Sequence, residues 1–153
     1  MLREKATMNL FTEEEKKFVE EHIPYTNLMD SRFCRMDEIL DEKDRWIIKP
    51  LDSYASRGVF AGVDYSEDEW EDIVHQHWNK NYIYQEYYHP YRTENICFRD
   101  ANPQFQSYTN MSGLYVYNGE FAGVYSRLST GGIISSQYNE RAVATLVVKE
   151  ENE

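Results

Sequence analysis

The sequence predicts an α+β fold, a mainly antiparallel sheet with flanking helices. Three observations lead there. Short aromatic-rich apolar runs recur along the chain, and most of the 13 tyrosines fall after residue 82 in alternation with apolar residues. That is the pattern of side chains packed on a pleated surface. Asn118-Gly119 sits between two such runs, and this dipeptide is the strongest short-range hairpin signal. One amphipathic helix intervenes between strands that otherwise pair locally, so the sheet runs antiparallel rather than as repeated parallel crossovers.

Each element has its own local reason. Thr12-x-x-Glu15 is a capping box, in which the threonine hydroxyl and the glutamate carboxylate satisfy each other's backbone N–H groups. It predicts a helix running to about Glu21 and stopped before Pro24. The stretch 27–44 is polar and mixed, with a short helix over 36–40. Residues 46–48, Trp-Ile-Ile, read as a short strand, 52–58 as a loop without periodicity, and 59–63 as a returning strand. Ser66-x-x-Glu69 is a second capping box. Behind it Trp70, Ile73, Val74, His77 and Trp78 recur at helical spacing and form the face that packs on the sheet. The acidic run 64–72 is the solvated face of the same helix. His75 and His77 stand two apart, so they do not share a helix face and make no metal pair.

Residues 82–88 form a strand ended by His89-Pro90-Tyr91. A short strand follows over 95–98, then a turn over 100–103. Strands 114–117 and 121–125 flank the Asn-Gly turn. Thr130-Gly131-Gly132 is a loop, Ile133 and Ile134 begin a last short strand, residues 141–148 fit either strand or helix, and 150–153 form a frayed tail.

Composition narrows the function classes. A chain of 153 residues with 41% hydrophobic residues suits a single domain, 1–153, able to bury a core. No run approaches the ~18 apolar residues of a membrane helix, and the N-terminus lacks the apolar segment of a signal peptide, so the expected compartment is the cytoplasm. A formal net charge of -11 repels a phosphate backbone and argues against nucleic-acid binding. Cys34 and Cys97 have no metal spacing and are expected as reduced structural thiols. Serine-nucleophile elbow, zinc-helix, Walker and dinucleotide fingerprints are absent from the sequence.

One stretch carries candidate chemistry. The apolar strand ending in Lys49 is followed by a loop of mostly small residues, Ser53, Tyr54, Ala55, Ser56, Arg57 and Gly58. A helix comes next, then a strand ending Gln85-Glu86-Tyr87-Tyr88. Such an order can bind a nucleotide. The lysine offers a point charge to phosphates, and small loop residues let backbone N–H groups approach phosphate oxygens. A lysine directly after two isoleucines needs a partner if it is buried.

These residues, in this order, resemble the ATP-grasp superfamily, and within it the circularly permuted branch of glutathionylspermidine synthase-like and eukaryotic-type glutathione synthetase-like proteins. Ile48-Lys49-Pro50, the loop 52–59, the Trp70-bearing helix and Ile83-Tyr84-Gln85-Glu86-Tyr87 carry the likeness. The lead-in around Thr12 and His22-Ile23-Pro24-Tyr25-Thr26, and the late hairpin 114–127, agree with it. The likeness spans roughly residues 10–147. Where relatives carry paired glycines in the phosphate loop, this chain has Ala55 and Ser56, at which any backbone conformation with positive φ is costly. Relatives are several times longer, so the chain resembles their C-terminal, nucleotide-gripping part.

The resemblance implies an ATP-grasp-like fold with ATP and Mg2+ as cofactors. It implies a carboxylate–amine ligase that works through an acyl-phosphate, with a small carboxylate and an amine as substrates. The chain is expected to be incomplete for catalysis alone, a partner chain or missing half supplying the rest. Lys49 would contact the phosphates and the loop 53–58 would close over them. Main-chain groups of Glu86 and Tyr88 would read the adenine edge in a hinge strand of Gln85, Glu86, Tyr87 and Tyr88. Arg127 would steady the transferring phosphate or the substrate carboxylate. The magnesium ligands are not assigned, Asp52 being the one weak candidate. Two rival readings stand beside this one: a degenerate ATP-grasp remnant without nucleotide binding, and an acidic interaction module whose tyrosines form the contact face.

Overall fold

The computed structural model describes residues 2–98 and 101–146. It is an α+β structure with two four-stranded sheets, every strand pair antiparallel. The chain divides into two compact units, Met1–Tyr88 and His89–Glu153.

In the first unit a short helix α1 (Lys5–Met8) precedes α2 (Glu13–His22). The capping box forms as predicted: Thr12 Oγ1 accepts from the Glu15 amide, and Glu15 Oε2 accepts from the Thr12 amide at 2.8 Å. Strand β1 (Thr26–Leu28), α3 (Met36–Leu40), β2 (Trp46–Pro50), β3 (Phe60–Ala61), α4 (Glu67–His77) and β4 (Tyr82–Glu86) follow. The sheet order is β1-β4-β2-β3. The second capping box, Ser66 with Glu69, starts α4.

The core lies on one face of this sheet. Trp46, Ile48 and Tyr84 pack there against Ile39 of α3 and Trp70 and Val74 of α4, with Met29 between. Ile73 and Trp78 back them from the rim, so the predicted helix stripe does face the sheet. The five-residue α3 leaves carbonyls without helical partners. Two tryptophans supply them: the Trp46 indole N–H donates to Glu38 O at 2.9 Å and that of Trp70 to Ile39 O at 3.0 Å. One pair of bonds thus closes a helix end and fixes both rings.

The returning strand expected over 59–63 is shorter. Only Phe60 and Ala61 pair with β2, and Gly62–Asp64 turns into a 3-10 helix. The cause is a close backbone crossing: a Cβ on Gly62 would stand 1.9 Å from the Lys43 carbonyl oxygen. The expected strand 82–88 stops at Glu86.

The second unit is the sheet β5 (Arg92–Ile96), β6 (Phe105–Tyr117), β7 (Glu120–Ser129) and β8 (Arg141–Val143), in that order. The β6–β7 hairpin turns on Asn118 and Gly119, both with positive φ (51° and 81°), as a two-residue type I′ turn requires. Both strands outrun their expected lengths, because β5 and β8 give the polar segments 105–109 and 126–128 partners. The strand expected over 95–98 instead spans Arg92–Ile96, its register set by pairing with β6. Ile133 and Ile134 do not begin a strand; that place goes to Arg141–Val143. Part of the expected turn 100–103, the end of the segment 141–148 and the tail 150–153 lie outside the described residues. Both cysteines are free thiols, and no helix of the described residues is long and apolar enough to cross a membrane.

Candidate functional site

The sheet of the first unit has a second face, turned away from α3 and α4. Strand alternation puts Ile47 and Lys49 of β2 there, opposite Gln85 and Ile83 of β4, which in turn face Thr26 and Leu28 of β1. All six side chains are half-buried. Lys49 is therefore an ammonium set among isoleucines. Its Nζ donates to Gln85 Oε1, Gln85 Nε2 donates to Thr26 Oγ1 at 2.7 Å, and that hydroxyl donates to Pro24 O at 3.1 Å. Among the described residues no carboxylate forms an ion pair with Lys49, and burial pulls its pKa below the ordinary lysine value. The relay of neutral groups holds the amine in place without cancelling its charge.

The loop after β2 is built on two turns. Arg57 N donates to Tyr54 O at 3.1 Å and Val59 N to Ser56 O at 3.3 Å, while Ser53 Oγ donates to Arg57 O at 3.0 Å. Ala55 and Ser56, the central residues of the first turn, both lie in the left-handed region (φ 53° and 60°), and Gly58 follows at 71°. The chain's three other non-glycine residues with positive φ among those described are Asn79, Asn81 and Asn118. Asparagine tolerates this region; alanine and serine do so at a cost of about 1–2 kcal/mol each. Gly58 is constrained twice, since a Cβ there would also meet the Tyr82 hydroxyl at 2.8 Å. Tyr54 is exposed, with the Arg57 guanidinium 5.8 Å from its ring centre. Asp52 is an exposed carboxylate at the start of the loop.

At the end of β4, Glu86 N donates to Tyr25 O at 2.8 Å and Tyr87 N to Arg45 O at 2.7 Å. The Glu86 carboxylate accepts from Tyr25 N at 3.4 Å and lies 3.8 Å from Arg45. The amides of Glu86 and Tyr87 are thus committed inside the unit. Tyr88 lies beyond the strand and is exposed.

Arg127 belongs to the second unit, on β7. Its Nη1 donates to Glu140 Oε2 at 3.2 Å and its Nη2 approaches Met111 Sδ at 3.4 Å. The Tyr125 hydroxyl donates to the other oxygen of Glu140. That bond, with the arginine's, holds the Glu140 carboxyl below its ordinary range. Glu140 therefore already neutralises the cation expected to meet a phosphate.

Sequence reasoning identified Lys49 and its loop but missed Gln85 as the lysine's acceptor and Thr26 behind it. Only the register Thr26↔Gln85 and Ile47↔Gln85 brings these together, and no local pattern signals it. One groove of the first unit, about 450 Å³, is lined by Leu40, Asp41, Lys43, Glu67, Trp70 and Glu71, none of them in the loop. Among the described residues no three His, Cys, Asp or Glu side chains gather to hold a metal ion. Compared with known proteins, the chain matches no protein-family model and no curated protein.

Proposed function

We propose that β2, the loop 52–58 and β4 form a nucleotide-phosphate grip of the ATP-grasp kind, part of a carboxylate–amine ligase. One observation carries the reading. At the two positions where glycines would be expected, Ala55 and Ser56 hold the left-handed backbone such glycines would take. An ordinary surface turn would relieve that strain with Asn or Gly, as this chain does at its other positive-φ positions. Strained backbone that persists in a packed surrounding is a reason to look for function at that place.

In this reading the uncancelled Lys49 ammonium attracts the phosphates, and the loop amides and the Ser56 hydroxyl cover them. The Glu86 carbonyl and Tyr88 amide face the adenine edge. The chemistry is phosphoryl transfer to a carboxylate followed by amine attack, which rests on positioning and charge neutralisation. Magnesium would neutralise the β- and γ-phosphates, with Asp52 the one candidate ligand in this chain and the usual acidic and amide ligands expected from the missing half.

The test is a thermal melt with Mg-ATP, Mg-GTP or buffer, read by tryptophan fluorescence. A ligand of the folded state raises the melting point, by about 2.7 kcal/mol of stability at a hundredfold excess over Kd. The expected result is a rise with ATP over GTP that disappears in Lys49→Ala. No rise at saturating ATP removes the nucleotide reading. A second reading, an interaction module, is favoured by the exposed aromatic hairpin of the second unit; it predicts that Lys49→Ala leaves partner binding intact.

A further inference from the structure

Strand β6 reaches well past the rest of its sheet. Strand β5 pairs with it only as far as Thr109, with one further bond from Asn110 N to Tyr91 O at 2.8 Å. Strand β8 pairs with β7 only over Ser126, Arg127 and Leu128. Among the described residues, 112–124 therefore form a two-stranded arm with no third strand on either side. A two-stranded ribbon has little stability of its own in water.

The arm is apolar on both faces. Leu114 (69% exposed), Val116 (66%) and Phe121 (67%) stand out, as do Tyr115 (58%) and Tyr117 (81%). An edge-to-edge pairing covers only the flanks of the β6 side chains, Leu114, Tyr115, Val116 and Tyr117, so the contact falls in the small, weak class of interfaces.

Its free edge is also unguarded. Natural sheets blunt exposed edges with charge, proline or short strands. The outer strands of both sheets follow that rule, while the arm's second edge, on β7, begins with a charge, Glu120. Strand β1 has three residues, β3 two and β8 three beginning on Arg141, and β5 carries Arg92 and Glu94. Strand β6 has thirteen residues, Phe105–Tyr117, without one charge or proline, in a chain that is 28% charged.

We propose that this arm is a homodimer contact, in which the 111–117 edge of β6 pairs antiparallel with the same edge of a second copy. A two-fold axis through Leu114 would place Gly113 opposite Tyr115 of the other copy and Met111 opposite Tyr117. Within each hairpin the same complementarity exists, Tyr115 facing Gly123 and Gly113 facing Tyr125, with the tyrosine rings 6.5 Å apart. Charge selects this edge for self-association. Two chains of net charge -11 repel over most of their surfaces, and they approach most cheaply where neither presents a charge.

The experiment is sedimentation equilibrium of the full chain over a range of concentrations, beside Leu114→Lys and the control Leu10→Lys. Leu10 is 83% exposed in the first unit. A monomer–dimer equilibrium is expected. Leu114→Lys, which sets two ammonium groups face to face on the axis, should weaken it by at least about tenfold, while Leu10→Lys leaves it unchanged. Circular-dichroism melts identical to the wild type show that the variant folds. A chain that stays monomeric at every concentration overturns the proposal, and so does a dimer indifferent to Leu114→Lys. An arm that serves only an extended peptide of another protein gives the monomeric result.

Discussion

Replacing Ala55 or Ser56 by glycine should stabilise the first unit, against the usual effect of glycine. Both residues have positive φ, where a Cβ costs about 1–2 kcal/mol. Glycine removes that cost but loosens the unfolded chain by about 0.4–1 kcal/mol. The middle of these ranges leaves a net gain of about 0.8 kcal/mol per site. In a unit of this size that is a rise of about 3–6 °C in melting temperature. The two sites are adjacent, so the double variant need not give the sum. All three tryptophans, Trp46, Trp70 and Trp78, lie in the first unit, so fluorescence in a urea titration reports this unit alone. Arg57→Gly is the internal control. Arg57 lies between these residues and Gly58 but does not have a positive φ, so its replacement should lose about 0.4–1 kcal/mol. If Ala55→Gly and Ser56→Gly lower the urea midpoint as Arg57→Gly does, the left-handed turn does not exist in solution. The main support for the phosphate-loop reading then goes with it.

Two further outcomes are expected. Gly62→Ala drives a Cβ to 1.9 Å from the Lys43 carbonyl oxygen and 2.6 Å from its carbon. Neither backbone can yield cheaply, so the urea midpoint should fall by the equivalent of about 2–3 kcal/mol or more; a loss under a few tenths would mean that the crossing is loose. His77 stacks between Phe60 and Tyr82, at 5.2 and 4.3 Å between ring centres. Burial, and then Lys80, hold its pKa below the ordinary imidazole value. The unfolded chain therefore takes up this proton first as pH falls. The resulting stability is complete above about pH 6.5 and is lost as acidity passes down through the folded pKa. His77→Phe should remove that part of the acid loss, so its urea midpoint falls less than the wild type's between about pH 7.5 and 5; parallel curves refute the assignment.

What the sequence determined by itself was local. Both capping boxes, the helix over 36–40, the Trp70-Ile73-Val74-Trp78 stripe and the Asn118-Gly119 turn came from residues at most four positions from the next member of their pattern. Their physics is a side chain satisfying a nearby amide, or a backbone angle that few residues accept. Lys49 was legible as a charge out of place, because two isoleucines before it announce burial. Tertiary structure decided the rest. Strand β1 has three residues and no pattern, and exists because β4 pairs with it. The polar half of β6 is a strand because β5 pairs with it over 105–109 and β7 takes over from Thr109. Gln85 reaches Lys49 across 36 positions and Thr26 across 59, and Arg127 meets Glu140 only once β7 and the segment leading into β8 lie side by side. Ala55 and Ser56 run against their own preference. A short peptide would not hold that turn, so it has to be imposed by the packing of the strands it joins.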